Sequence, residues 1–160
     1  AANEKIDGLL LPGGHAPAMR VYLESAELQA IVAQAFERDI PVGAICHGVV
    51  LAARSKTSSG RSVLFGRRTT ALTSSLELTA WAVTALWLGN YYRTYPETVQ
   101  SEVTRSLATS ADFETGPLAL RRDHPGHTEH GFTTRDGNYL SARWPGDAHR
   151  FAADYASMLE

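Results

Sequence analysis

The sequence contains one cysteine, Cys46, and its surroundings favour a reactive thiol. Residues 42–48 read VGAICHG: a short apolar run ends at Ile45, and small residues stand on both sides of the cysteine. This pattern predicts a sharp turn from a strand into a helix, the geometry of a nucleophile elbow. A thiol in that place lies at a helix N-terminus, where the dipole and the free N–H groups favour the thiolate. A lone cysteine is commonly a small buried core residue, but this context predicts that Cys46 is a nucleophile with a lowered pKa.

A glycine-rich turn precedes the cysteine segment, where residues 12–17 read PGGHAP after an apolar run. In a parallel sheet this turn lies beside the elbow, and glycines let backbone N–H groups approach a ligand closely. An oxyanion hole needs two such donors, and the candidates are the amides of Gly14 and His47. We expect Gly13 to belong to the same substrate-binding turn, and Gly48 to leave room for the tight bend.

One histidine is the candidate for proton transfer, and a second histidine and a glutamate are considered beside it. His47 is adjacent to Cys46 and acts as a general base or acid, or else contributes only its backbone N–H; both interpretations stay open. His15 lines the pocket or is a solvent-exposed loop histidine. Glu77 opens a predicted helix, where a carboxylate usually contacts the helix dipole, and we prefer that interpretation.

A second group of potential ligands lies in a histidine-rich loop near residue 127. It contains Asp123, His124, His127, Glu129 and His130. Metal sites use such residues, but this spacing of the histidines matches no standard zinc framework. A solvated loop is the preferred interpretation, and the sequence predicts neither a metal nor a cofactor.

Strands and helices alternate in the first part of the chain. Short apolar runs bounded by Gly, Pro or polar turns predict strands over residues 6–11, 41–45 and 62–65. The spacing of apolar residues predicts a helix over 26–38, and small apolar residues predict another over 47–54. Such alternation predicts an α/β fold, a three-layer sandwich with a mostly parallel sheet and helices on both faces.

The remaining elements are less regular. A serine cap predicts a helix over residues 74–88. A polar-faced helix is predicted over 98–107, and apolar residues along one face predict a final helix over 147–159. Three further strands are predicted, over residues 117–121, 131–135 and 139–142. An Asp136-Gly137 turn joins the last two strands as a hairpin.

The composition is that of an ordinary globular domain. The 160 residues suffice for one hydrophobic core, and 44% of them are apolar and 20% charged. The net charge of −2 gives no reason to expect nucleic acid or an anionic membrane as a partner. The sequence shows neither a membrane-spanning apolar run nor a signal-peptide pattern, so a cytoplasmic location is predicted.

These motifs resemble the PfpI/DJ-1/ThiJ superfamily, whose α/β sandwich is shared with class I glutamine amidotransferases. The PGGHAP turn and the VGAICHG elbow carry the resemblance, and residues 136–145, reading DGNYLSARWP, resemble the PfpI branch. The resemblance covers residues 7–72 and 136–159, and it implies that residues 89–131 are an insertion. It also implies a homo-oligomer, since PfpI relatives build sites between subunits.

The sequence departs from the family pattern in two places. Family members carry a longer segment before the PGG strand, so we expect a single domain over residues 1–160 that lacks its N-terminal strand-helix-strand part. The PfpI branch also places an acidic residue directly after its PGGxAP motif, where this sequence has Ala18. The acidic partner of Cys46 and His47 is therefore unidentified from the sequence.

The resemblance implies a cysteine-dependent enzyme that acts on a small electrophilic substrate. Glyoxalase-type hydration, amide or peptide hydrolysis and isonitrile hydration are the candidate reactions. The alternatives are a redox-sensing or chaperone-like stress protein, in which Cys46 is oxidised, and a scaffold with a vestigial site. The sequence does not distinguish among these functions.

Overall fold

The computed structural model describes residues 6–16, 18–119 and 121–160, which form one sheet with helices against both of its faces. The strands of the sheet are β1 (Leu9–Leu11), β2 (Val42–Ile45), β3 (Thr133–Asp136) and β4 (Tyr139–Ala142). The α-helices are α1 (Met19–Glu24), α2 (Ala26–Glu37), α3 (Gly48–Arg54), α4 (Ser74–Leu88), α5 (Val99–Ser106) and α6 (Ala148–Ala156).

The strand order in the sheet is β1-β2-β4-β3. β2 pairs in parallel with both β1 and β4, whereas β3 and β4 form an antiparallel hairpin. The hairpin turns at Gly137, whose φ of 58° suits glycine. The predicted α/β fold with a mostly parallel sheet is therefore confirmed.

Two hydrophobic layers cover the sheet. α2, α3 and α5 contribute to the larger core, in which six consecutive residues of α3, Gly48 to Ala53, are buried. α6 covers the other face, where Phe151 and Tyr155 pack with Leu140 and Ala142 of β4. The alternation of side chains along β4 sends neighbouring residues into different layers, as expected for a strand covered on both faces.

Two predicted strands are wrong. Residues 62–65 form tight turns instead, with N–H to C=O bonds from Phe65 to Ser62 and from Arg67 to Leu64. Val63 and Leu64 are buried, so the apolar run anchors a loop to the core rather than a strand to the sheet. Among the described residues of 117–121 no strand forms, because the carbonyl of Pro117 accepts a bond from Arg143 and Leu118 is exposed.

The predicted helices are present, with small changes at their ends. α4 has the predicted bounds, although Thr73 rather than a serine caps it by accepting from the N–H of Leu76. α1 was not predicted. β1 is shorter than residues 6–11 and lies at the edge of the sheet among the described residues.

α4 is apolar on all sides, yet most of it is exposed. The exposed side chains include Leu78, Trp81, Val83, Leu86 and Trp87, and Leu86 is 96% exposed. Glu77 is the residue of this helix that is buried. No helix in the described ranges has the length and apolar character of a membrane span.

Candidate active site

Cys46 lies directly after β2 and begins the turn into α3. Its φ is 58°, in the left-handed region that a residue with a side chain rarely adopts. The N–H of Cys46 donates to the carbonyl of Ala142 at 3.0 Å, which ties the turn to the end of β4. The predicted sharp turn is therefore present, and the sheet holds a strained backbone at the residue with the thiol.

Two of the predicted glycines are required by close approach of the chain to itself. A Cβ atom at Gly13 would lie 2.6 Å from the Cβ of Cys46 and 2.9 Å from the N of His47. A Cβ atom at Gly48 would collide with the carbonyl of Leu11. The PGG turn therefore packs directly on the elbow. A Cβ at Gly14 would meet only Met19, at 3.3 Å, so Gly14 is less tightly enclosed.

The structure brings His15, Cys46 and His47 together. The Sγ of Cys46 lies 3.6 Å from the Nδ1 of His47. The rings of His15 and His47 meet edge to face, with 4.6 Å between their centroids. Cys46 and His47 are buried, with 4% and 1% of their surfaces exposed, and His15 is half-buried against the ring of Tyr92.

The predicted low pKa of the thiol is wrong for this structure. Burial raises the pKa of Cys46 to about 12, since the thiolate would lie in a site that excludes water. The backbone N–H of His47 lowers this pKa and the negative charge of Glu77 raises it further, but both effects are smaller than burial. Cys46 does lie at the N-terminus of α3, as the sequence predicts. The effect of burial on its pKa is nevertheless larger than any effect of the helix.

Burial also acts on the two histidines. It lowers the pKa of His47 to about 3, with a smaller contribution from the neighbouring charge of His15. Burial likewise lowers the pKa of His15. Both imidazoles are therefore neutral at neutral pH, and each has one ring nitrogen able to accept a proton.

Glu77 is a site residue that the sequence interpretation missed. It is 1% exposed, its Oε2 accepts from the N–H of Val99 at 2.9 Å, and its Oε1 lies 3.7 Å from Nη1 of Arg93. Burial raises its pKa, while the N–H of Val99 and the charge of Arg93 lower it. The sequence does carry a signal for this role, because Glu77 is the single charged residue among the apolar and small polar residues of 74–88.

A cavity of about 560 Å³ connects these groups. Cys46, His15 and Glu77 line it together with Arg122 and Trp144, and the guanidinium of Arg122 lies over the Trp144 ring at 5.4 Å. Much of the remaining wall is apolar and comes from α4. The cavity therefore combines a thiol, a base, a carboxyl group and a cation within apolar walls, as expected of a small-molecule site.

Two clusters within the described ranges have side chains able to hold a metal ion. In each, the ligand atoms lie within 4.8 Å of one another. One is the buried cluster of His15, Cys46 and His47. The other is the exposed cluster of His127, Glu129 and His130. Ala18, which stands where the PfpI branch has an acid, is exposed at the start of α1 and brings no carboxylate to either cluster.

A model of the DJ-1/PfpI family matches residues 1–121, so the chain belongs to this family. A search of curated protein sequences finds no match. Among solved structures, the Rapid Encystment Protein 24 kDa of Francisella tularensis superimposes with a TM-score of 0.73 at 18% identity, covering 96% of this chain and 58% of that one.

Two further solved structures share the fold. Glyoxalase III of Candida albicans has a TM-score of 0.68 at 21% identity, with 96% of this chain and 57% of that chain covered. DJ-1beta of Drosophila melanogaster has a TM-score of 0.57 at 18% identity, covering 98% of this chain and 57% of that one. The chain spans less than two thirds of the length of these structures.

Proposed function

We propose that this protein is a cysteine-dependent enzyme that adds Cys46 to the carbonyl carbon of a small molecule. The observation that supports it is the arrangement at the elbow: a thiol on a strained backbone, 3.6 Å from the Nδ1 of His47, in the wall of a cavity. A nucleophile in hydrogen-bond contact with a base is the minimal arrangement for covalent catalysis.

The first step combines bond formation with proton transfer. The Sγ of Cys46 forms a bond to the carbonyl carbon, and the π electrons of the carbonyl move to its oxygen. The thiol proton passes by way of the Nδ1 of His47 to the carbonyl oxygen, so that neither a free thiolate nor an imidazolium persists in the buried site. The backbone N–H of His47 and that of Gly14 are the proposed donors to the oxyanion.

A 2-oxoaldehyde is the substrate class that this cavity supports best. Its hydration to a 2-hydroxy acid requires a hydrogen to move between adjacent carbons, so a second acid–base group is needed beside the nucleophile. Glu77 supplies a buried carboxyl group on the same cavity, and Arg122 supplies a cation for the product carboxylate. A glyoxalase III shares the fold, which agrees with this choice.

Steady turnover is the test. Wild-type protein, Cys46→Ser and a control variant, His149→Ala, are each incubated with methylglyoxal, an aryl amide and an isonitrile. His149 is exposed near the start of α6 and lines no part of the cavity. We expect 2-hydroxy acid from methylglyoxal with the wild type and with His149→Ala, and none above background with Cys46→Ser. Turnover of only the amide or only the isonitrile would reject the 2-oxoaldehyde as substrate, while the role of Cys46 as nucleophile would stand.

Absence of turnover on every substrate would contradict an enzymatic role and favour the alternatives. A redox sensor requires an accessible cysteine with thiolate character, and burial of Cys46 works against that role. Peroxide treatment followed by mass measurement distinguishes the two: a sensor gains oxygen at Cys46 at low peroxide, and a vestigial scaffold does not.

The cytoplasm is the proposed location of the protein. We further propose that a second copy of this chain covers α4. The exposed apolar side chains of α4 lie along one helix, and a group of exposed apolar residues is typical of an interaction surface. Light scattering on wild type and on Leu86→Glu tests this proposal. A dimer that Leu86→Glu converts to a monomer supports it, and a monomeric wild type refutes it.

A further inference from the structure

We propose that Cys46, His47 and His15 form a binding site for a thiophilic divalent cation of the zinc class. The proposal concerns binding alone, so it does not depend on whether Cys46 turns over a substrate. It rests on the distances among three side chains that come from two separate loops, the PGG turn and the elbow.

The spacing of two of the ligands agrees with tetrahedral coordination. A zinc ion binds thiolate sulfur at about 2.3 Å and imidazole nitrogen at about 2.0–2.1 Å. In a tetrahedral site these bond lengths place the two ligand atoms about 3.6 Å apart. The Sγ of Cys46 and the Nδ1 of His47 are 3.6 Å apart. These two residues can therefore share an ion without a change in their separation.

His15 supplies the third ligand. Its Nδ1 is buried and has no hydrogen-bond partner among the described residues. A buried nitrogen without a partner costs free energy, and a bound ion would remove that cost. The ring of His15 lies 4.6 Å from that of His47, and the ligand atoms of all three residues fall within 4.8 Å of one another. A shift of the His15 ring by up to about 1 Å would bring its nitrogen to the tetrahedral separation of about 3.6 Å.

The chemistry of the ligands selects the kind of ion. One thiolate and two imidazoles suit zinc and its neighbours, whereas magnesium and calcium require oxygen ligands. As the sulfur–metal bond forms, the thiol proton leaves to solvent, so binding releases one proton per ion. Cys46 and His15 also face the cavity, which leaves a fourth position for water or a small ligand.

The exposed cluster is a weaker candidate for the same ion. The Nδ1 of His127 is already bonded to the Oε1 of Glu129 at 2.7 Å, and 57% and 62% of these two side chains are exposed. An ion there must break that bond and order exposed side chains. The two clusters therefore provide an internal comparison for the experiment.

Cobalt is the probe, because a cobalt–thiolate bond gives a charge-transfer absorption in the near ultraviolet. Tag-free protein is titrated with cobalt chloride, and zinc chloride then displaces the cobalt. We expect one ion per chain, a charge-transfer band and loss of the band on zinc addition. Folding of each variant is checked by circular dichroism before titration.

Four variants decide the proposal. Cys46→Ser should lose the charge-transfer band, and His15→Ala should weaken cobalt binding by at least about 10-fold. His149→Ala and the double variant His127→Ala/His130→Ala should bind as the wild type does. Folded wild type without the band would overturn the proposal. So would unchanged affinity in His15→Ala, or binding that depends on His127 and His130.

Discussion

The two histidine clusters contain similar ligands and differ in what surrounds them. His15, Cys46 and His47 are enclosed between the PGG turn, the elbow and α4, whereas His127, Glu129 and His130 stand in the loop before β3. In the buried cluster, desolvation dominates: it lowers the pKa of His47 and raises that of Cys46.

In the exposed cluster a direct contact dominates instead. The hydrogen bond from His127 lowers the pKa of Glu129, and burial contributes little. Burial, rather than residue type, therefore decides how far the pKa values within each cluster are shifted. Four measurements test this conclusion, in order of decreasing expected effect.

Acid should destabilise the protein through His47. The pKa of His47 is about 3 in the fold and 6.5 in its ordinary state. Below pH 6.5 the unfolded chain binds a proton that the folded chain does not bind until about pH 3. The free energy of unfolding therefore falls with decreasing pH in this window, by up to about 1.4 kcal/mol per pH unit.

Urea unfolding at several pH values, with EDTA present, measures this loss. His47→Gln should make the pH dependence shallower, although its stability at neutral pH also changes. The control variant His149→Gln, at an exposed position of α6, should leave the slope as in the wild type. Equal slopes for wild type and His47→Gln would show that burial of this imidazole has no such effect.

The reactivity of Cys46 should keep rising at alkaline pH. Because burial raises the pKa of this thiol to about 12, the rate of iodoacetamide alkylation should increase through pH 10 without a plateau. In urea the same thiol should show a midpoint near its ordinary value of about 8.5. A plateau below about pH 8.5 in the folded protein would restore the low-pKa nucleophile predicted from the sequence.

Adding one methyl group should distinguish the packing around the two clusters. Gly48→Ala places a Cβ against the carbonyl of Leu11 and should cost about 1–3 kcal/mol of stability or more. Gly126→Ala is the matched change beside the exposed cluster, where the new Cβ would lie 3.6 Å from His124, an ordinary contact. Its effect should stay within about 0.5 kcal/mol. Similar losses of stability in both variants would contradict the conclusion that the chain is packed more tightly at Gly48 than at Gly126.

The smallest expected effect is that of charge at Glu77. The carboxylate of Glu77 contributes to the raised pKa of Cys46, after burial. Glu77→Gln should therefore increase the alkylation rate of Cys46 at fixed pH by less than about 10-fold, since the larger cause remains. Glu129→Gln should leave this rate unchanged. A lower rate in Glu77→Gln would instead indicate that the carboxyl group takes the thiol proton.

Local signals were sufficient for much of the fold. α4 has the predicted bounds, and the turn at Cys46 forms where small residues separate a strand from a helix. Such features depend on neighbours in the sequence, which are present before any folding. Residues 62–65 show the limit, because a short apolar run is equally suited to a strand or to a buried loop.

The family, the α/β fold and the sharp turn at Cys46 could be predicted from the sequence, because glycines, caps and apolar spacing act over a few residues. The charge states of the site depended on the tertiary structure. Glu77 lies near Cys46 only because α4 folds over the elbow, and the pKa of the thiol rises only because distant segments exclude water from it. Desolvation is a property of the assembled surroundings, so no pattern within residues 42–48 could have shown it.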